Sequence, residues 1–199
     1  MSNTPNTSAT GGYLKPASTV TLPQNLSVVQ FIQSVLVGVS QIDGELVRPQ
    51  WQGNPPGQPD AKRDWLSFAI KNPKSNTMAV ITEDAEGNNN FLNYQDFEVS
   101  CILYGPNAFD NMDLIIDSLE IPQNREALSS VNMKYVEASS AIHAPELINE
   151  TWFERYDFTL YMRRAKQRVY PVLTILSASG VLVNDVGGRD NTIAFNSGG

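Results

Sequence analysis

Reactive side chains are scarce in this chain: among 199 residues there is one cysteine, Cys101, and one histidine, His143. One cysteine excludes an intramolecular disulfide, and its place among apolar residues that alternate with polar ones reads as a small buried side chain. One histidine, two residues before Pro145, has no second His or Cys with which to share a zinc ion. It reads as a surface or capping residue rather than a catalyst. Long apolar runs are also missing, so no segment approaches the roughly eighteen residues of a membrane span. The beginning, MSNTPNTSATGG, lacks the charged-then-apolar order of a signal peptide. The expectation is a soluble protein made in the cytosol, with no membrane partner. Bases are in the minority, 14 Lys and Arg against 21 Asp and Glu, for a net charge of −7. That balance opposes nonspecific duplex binding, which draws most of its affinity from cations meeting phosphates. No G-x-x-x-x-G-K-[ST], G-x-S-x-G, H-E-x-x-H or strand-linked G-x-G-x-x-G occurs, which leaves an enzyme with no residues to name and no cofactor to hold.

What the chain does have is periodicity. In FLNYQDFEVSCILYG, Phe97, Val99, Cys101 and Leu103 alternate with Asp96, Glu98 and Ser100, the pattern of a half-buried strand. Gly105 and Pro106 break it, and Asn107 is placed to cap a helix that starts near Ala108. Phe109, Met112, Ile115, Ile116 and Leu119 then recur at helical spacing, with Asp110, Asp113, Asp117 and Glu120 on another face. Pro122 ends that helix, and 124–128 reads as a second, short one. Earlier, 27–37 reads as a helix with a broad apolar face and almost no charge. Residues 45–51 read as a short strand that Pro49 marks as an edge, 53–59 as a proline-rich excursion, and 65–71 and 78–83 as strands joined by a turn at 72–76. A hairpin loop at 83–90 leads into the central strand. Later strands are expected at 133–139 and 151–164, with a connection at 142–145 and one last hairpin or arm in 172–183.

The fold class that follows is α+β, a mixed, largely antiparallel sheet flanked by two or three helices, with flexible N- and C-terminal arms. The organisation expected is an arm at 1–20, one domain at 21–183 and a tail at 184–199.

Two charged features and one loop carry candidate chemistry. Asp84, Glu86, Asn88 and Asn90 alternate oxygen-bearing side chains as calcium loops do, but the glycine is misplaced and Gln95 stands where a Glu is needed, so this reads as a solvated hairpin. Between Glu83 and Glu126 there are ten acidic residues and one base, Arg125. The acidic stripe reads as a solvated helix face or, within a ring, as a negative wall that DNA passes without sticking. Arg163, Arg164, Lys166 and Arg168 form a basic run without an acid, readable as edge protection or as a charged interface to an acidic neighbour.

The series Gly12-Tyr13-Leu14-Lys15-Pro16, GELVRPQWQ at 44–52, the W-x-x-F strand at 65–68, Tyr104-Gly105-Pro106-Asn107, QNREAL at 123–128 and RRAKQRVYPV at 163–172 resembles the bacteriophage neck or tail terminator family, over most of residues 12–178. The resemblance implies a small α+β structural virion protein that caps the finished tail tube as a ring, usually hexameric, and joins it to the connector under the capsid. It implies location at the neck, after assembly in the host cytoplasm, with DNA leaving through the lumen. Its partners would be other copies of itself, the tube protein, the sheath protein in a contractile tail, and the head–tail connector. On this reading Arg48, Trp51, Arg163, Arg164 and Arg168 are candidate subunit contacts, and Asp110, Asp113 and Asp117 candidate lumen residues. The alternatives are a stopper or adaptor ring on the portal side, a monomeric binding module and, further off, a hydrolytic enzyme.

Overall fold

The computed structural model describes residues 13–19, 26–85, 88–148, 150–172, 178–185 and 190–197. Its elements are β1 (Ser18–Thr19), α1 (Leu26–Ser40), β2 (Val47–Pro49), β3 (Trp65–Ser75), β4 (Val80–Glu83), β5 (Asn89–Tyr104), α2 (Ala108–Glu120), α3 (Glu126–Ser130), β6 (Met133–Ala138), β7 (Ile142–His143), β8 (Glu146–Ile148), β9 (Thr151–Phe153), β10 (Arg155–Tyr170), β11 (Ala178–Asp185) and β12 (Asp190–Ser197). No helix among the described residues is long and apolar enough to cross a membrane.

The main sheet is built on β5 and β10, antiparallel and in unbroken register from Arg155↔Tyr104 to Tyr170↔Asn89. β3 and β4 lie in line along the other edge of β5, and β2 adds to β3 as the one parallel pair of this sheet. The outer edge of β10 is occupied in turn by β7, β6 and β1. This is the expected α+β architecture, with a mixed, mostly antiparallel sheet and three helices.

The period-two alternation does what it predicts. Phe97, Val99, Cys101 and Leu103 are buried on one face with Phe158, Leu160 and Met162 of β10 and Leu66 and Phe68 of β3. The helices close over that face: Val28, Ile32 and Leu36 from α1, Met112, Ile115 and Leu119 from α2, and Leu128 from α3 join the same core. The other face carries Asp96, Glu98 and Ser100, met by Arg163, Asn72 and Lys71 respectively. An antiparallel sheet can leave such a polar face in water.

Several expectations change. The segment at 45–51 is a single turn of 3-10 helix (Gly44–Leu46) before a strand of only three residues, and Trp51 lies outside it. The turn expected at 72–76 does not form: β3 runs on to Ser75 through a bulge between Lys71 and Lys74, so β3 and β4 follow each other along β5 instead of pairing. Pro73 sits in that bulge, where its missing N–H costs no ladder bond. The strand expected from 151 breaks at Glu154. β9 pairs with β8, and only from Arg155 does the chain join the main sheet. At the C-terminal end β11 pairs with β12, so the stretch expected as a polar tail includes a strand. Glu86 and residues 173–177 lie outside the described residues.

Candidate functional site

At the β5–α2 junction Asn107 stands at the N-cap, but its side chain makes no cap bond. Instead its backbone N–H donates to Asp64 Oδ1 (2.9 Å) and its Nδ2 to Asp64 Oδ2 (2.8 Å). Gly105 makes this approach possible. It has φ +116, and a Cβ there would lie 2.7 Å from Asp64 Cα and 2.8 Å from the Arg63 carbonyl oxygen. The Y-G-P-N turn therefore fastens the residue that leads into β3 to the start of α2. At the other end of α2, Asn124 Nδ2 donates to the Ser118 carbonyl (2.9 Å) and Arg125 Nη2 to that of Glu120 (3.1 Å), satisfying carbonyls a helix end leaves open. The Q-N-R segment is a helix stop.

Arg48 works within the chain. Its Nε donates to the Glu45 carbonyl (2.7 Å) and its Nη1 to that of Gly57 (2.8 Å), pinning the excursion. Trp51 is different: it stands 73% exposed, with Lys71 Nζ 5.8 Å from its ring centre. Two clefts meet at it. One is bounded by Arg48, Gln33, Gln52 and Pro56. The other, of about 190 Å³, is walled by Val28, Val29, Phe68, Ile70 and Phe97, with Gln50, Gln95 and Arg164 as its polar lining. The structure thus gathers three of the five candidate contact residues, Arg48, Trp51 and Arg164, around adjoining clefts.

Arg164 is only 3% exposed. It continues the inward series Phe158, Leu160, Met162, and its Nε donates to Gln95 Oε1 (2.9 Å). Gln95 and Lys166 in turn donate to Ser75 Oγ. Arg164, Lys166 and Arg168 share one face of β10. Burial, then the charge of Arg168, pulls the pKa of Arg164 down; burial and both arginines do the same to Lys166. Three members of the basic run, Arg164, Lys166 and Arg168, are therefore a strip of like charges along one face of the sheet. Arg163 faces the other way, in a two-bonded pair with Asp96 (2.6 and 3.1 Å), a hydrogen bond that holds the Asp96 carboxyl below its usual range.

Asp110, Asp113 and Asp117 are all exposed on α2. Of the apolar face, Met112, Ile115 and Leu119 are buried, whereas Phe109 is half out, against Tyr156. His143 stacks on Tyr156 with centroids 4.6 Å apart, and its Nε2 lies 2.7 Å from Glu154 Oε2. Asp84 Oδ1 accepts from the Asn88 N–H (2.8 Å), as a closed hairpin loop would. No cluster of three or more metal-ligating side chains occurs among the described residues.

Three features were not read from the sequence. Asp64 binds a partner 43 residues away, beyond any local pattern. Gln50 has a buried Nε2 with no acceptor. Leu147 and Trp152 form a directly opposed cross-strand pair on the β8–β9 hairpin, 56% and 67% exposed. Two large apolar residues only five positions apart, Leu147 and Trp152, were the available signal for that hairpin.

What these parts define is a structural rather than a reactive surface: a packed core, loops fastened by side chains, and exposed aromatic and charged groups. The chain belongs to the phage neck terminator protein family, whose profile matches residues 26–186. It is thus a structural protein of the phage tail and neck. No curated protein matches the chain closely enough to count as a relative.

Proposed function

We propose that the protein is a ring-forming tail terminator: several copies, six in the usual arrangement, cap the finished tail tube, join it to the head connector, and leave a lumen through which the genome passes. The observation that carries this reading is the family match over 26–186, joined to a surface that keeps Trp51, Trp152, Leu147, Ile142 and Phe109 in water. Large apolar groups left in water at two places, around Trp51 and on the β8–β9 hairpin, fit surfaces that assemble. The acidic α2 face and the basic strip on β10, opposite charges carried by different elements, support a head-to-tail ring, in which each copy offers its neighbour a different surface from the one it receives. Assembly occurs in the host cytoplasm, with the tube protein below, the sheath protein beside it in a contractile tail, and the connector above. A lumen face formed by Asp110, Asp113 and Asp117 would repel phosphate and keep DNA mobile.

The test is particle morphology. Phage lacking this product should give filled heads and tails of irregular length that do not join, and resupplying the protein should restore joined particles of uniform tail length. Normal joined tails in its absence would overturn the proposal.

A further inference from the structure

The cleft beneath Trp51 is too small for a cofactor and large enough for a side chain. Ligand pockets run to roughly 300 Å³ and more, whereas an apolar cavity of about 150 Å³ takes up benzene. At about 190 Å³ this cleft admits one large apolar side chain. Its walls are apolar, its polar lining is rich in donors, and one of them, Gln50 Nε2, is buried without an acceptor. Lys166 and Arg168 continue the positive lining on the face of β10 that holds Arg164. An occupant that satisfies the cleft brings an apolar side chain and an acceptor, preferably a carboxylate.

One element of this same chain has that make-up. The β8–β9 hairpin presents the exposed Leu147–Trp152 pair, and its loop carries Glu150, exposed and at φ 63. The two carboxylates on either side are already engaged: Glu146 accepts from Arg155 and Tyr104, and Glu154 lies against His143. Glu150 is the carboxylate left to be delivered with the tryptophan. The hairpin lies beside the start of β10 and the cleft beside its middle and the start of α1, so the two belong to different parts of the surface.

We infer that the β8–β9 hairpin of one copy seats Trp152 in the cleft beneath Trp51 of the next copy, with Glu150 directed at the amide of Gln50 and the positive face beside it. This deepens, and rests on, the ring reading. The contact is heterologous, so it propagates from copy to copy and leaves no copy with an unused knob or hole once the ring closes. A tryptophan buried at the centre of such a contact is the kind of residue that dominates interface energy.

The experiment uses paired cysteines in phage particles. Burial pushes the Cys101 thiol well up and out of reach, so it stays silent. Phage lacking the natural protein are complemented with a Gly53→Cys, Thr151→Cys double variant, which places exposed thiols beside the cleft and beside Trp152 while keeping both tryptophans; the particles are oxidised, and denatured samples are run without reductant. The expected result is a ladder of multiples of 22.0 kDa that collapses on reduction and is missing from each single variant. In parallel an amine cross-linker is applied to wild-type particles. Multimers with the amine reagent but only monomers with the disulfide variant would leave the ring standing and overturn this contact, as would a disulfide adduct to the tube or connector protein. Monomers with both would bring down the ring reading itself, and this contact with it. Should the double variant fail to complete tails, the ring yield of Trp152→Ala and Trp152→Phe decides instead. The contact requires at least a tenfold loss for alanine, near-normal yield for phenylalanine, and unchanged thermal unfolding of both; equal yields would overturn it.

Discussion

Tyr104 shows how a single side chain ties the polar end of the sheet to its core. Its ring stacks on Trp65 with centroids 4.2 Å apart, its hydroxyl donates to Glu146 Oε2 (3.2 Å), and the Arg155 guanidinium lies 5.7 Å from the ring centre. Burial is the main reason its pKa is pushed up to about 12, with Arg155 pulling the other way and Glu146 adding to the rise. An unfolded tyrosine ionises near pH ~10. Between pH ~10 and about 12 the unfolded chain therefore loses a proton that the folded chain keeps, and stability falls as pH rises. Thermal melts across that window should show a steeper fall for the natural protein than for Tyr104→Phe. Parallel curves would mean that the phenol titrates alike in both states.

At the scale of elements, the β5–α2 junction carries a sharp expectation. Gly105→Ala must place a side chain against Asp64 Cα and the Arg63 carbonyl at a φ of +116. A clash with backbone on top of a strained φ costs about 2–3 kcal/mol, which for a chain of this size lowers the melting temperature by roughly 4–12 °C. Gly53→Ala, where a Cβ meets nothing within 4 Å, is the control and should melt as the natural protein does. Equal melting of the two variants would show that the junction yields without strain.

The elements were legible where one face meets the core and the other meets water, because burial then writes its period into the sequence. That holds for 97–103 and for Met112, Ile115 and Leu119. It fails at the bulge near Lys71 and at the break at Glu154, because both are set by which strand lies alongside, and the partner is remote in sequence. Arg164 is instructive: it continues the inward alternation of Phe158, Leu160 and Met162, but its charge reads as surface. The amide of Gln95 lets register prevail over polarity. Of the candidate site, Trp51 and Arg48 were readable through their motif. The cleft Trp51 shares with Arg164 was not, since α1, β2, β3, β5 and β10 build it together.

Across the whole molecule, charge is divided rather than spread. Asp110, Asp113 and Asp117 stand exposed on a helix whose buried side is apolar, so replacing all three with Asn should leave folding untouched. If these residues line the lumen, the same variant slows genome release at low ionic strength, and the deficit shrinks in salt as screening takes over. Release from phage carrying the triple variant, timed at two salt concentrations, checks this. Identical kinetics would put α2 away from the DNA path.

The register of β5 and β10 also has a mechanical side. Sixteen consecutive pairs at ~3.3 Å per residue make a twin-stranded beam roughly 50 Å long, and helices buttress the portion from Phe97 to Leu103 and from Phe158 to Met162. Because the ladder contains no hinge, a load applied at the loop joining β4 to β5 is carried straight through to the buttressed end. The paired strands thus form a stiff strut whose far end meets the Asp64–Asn107 latch.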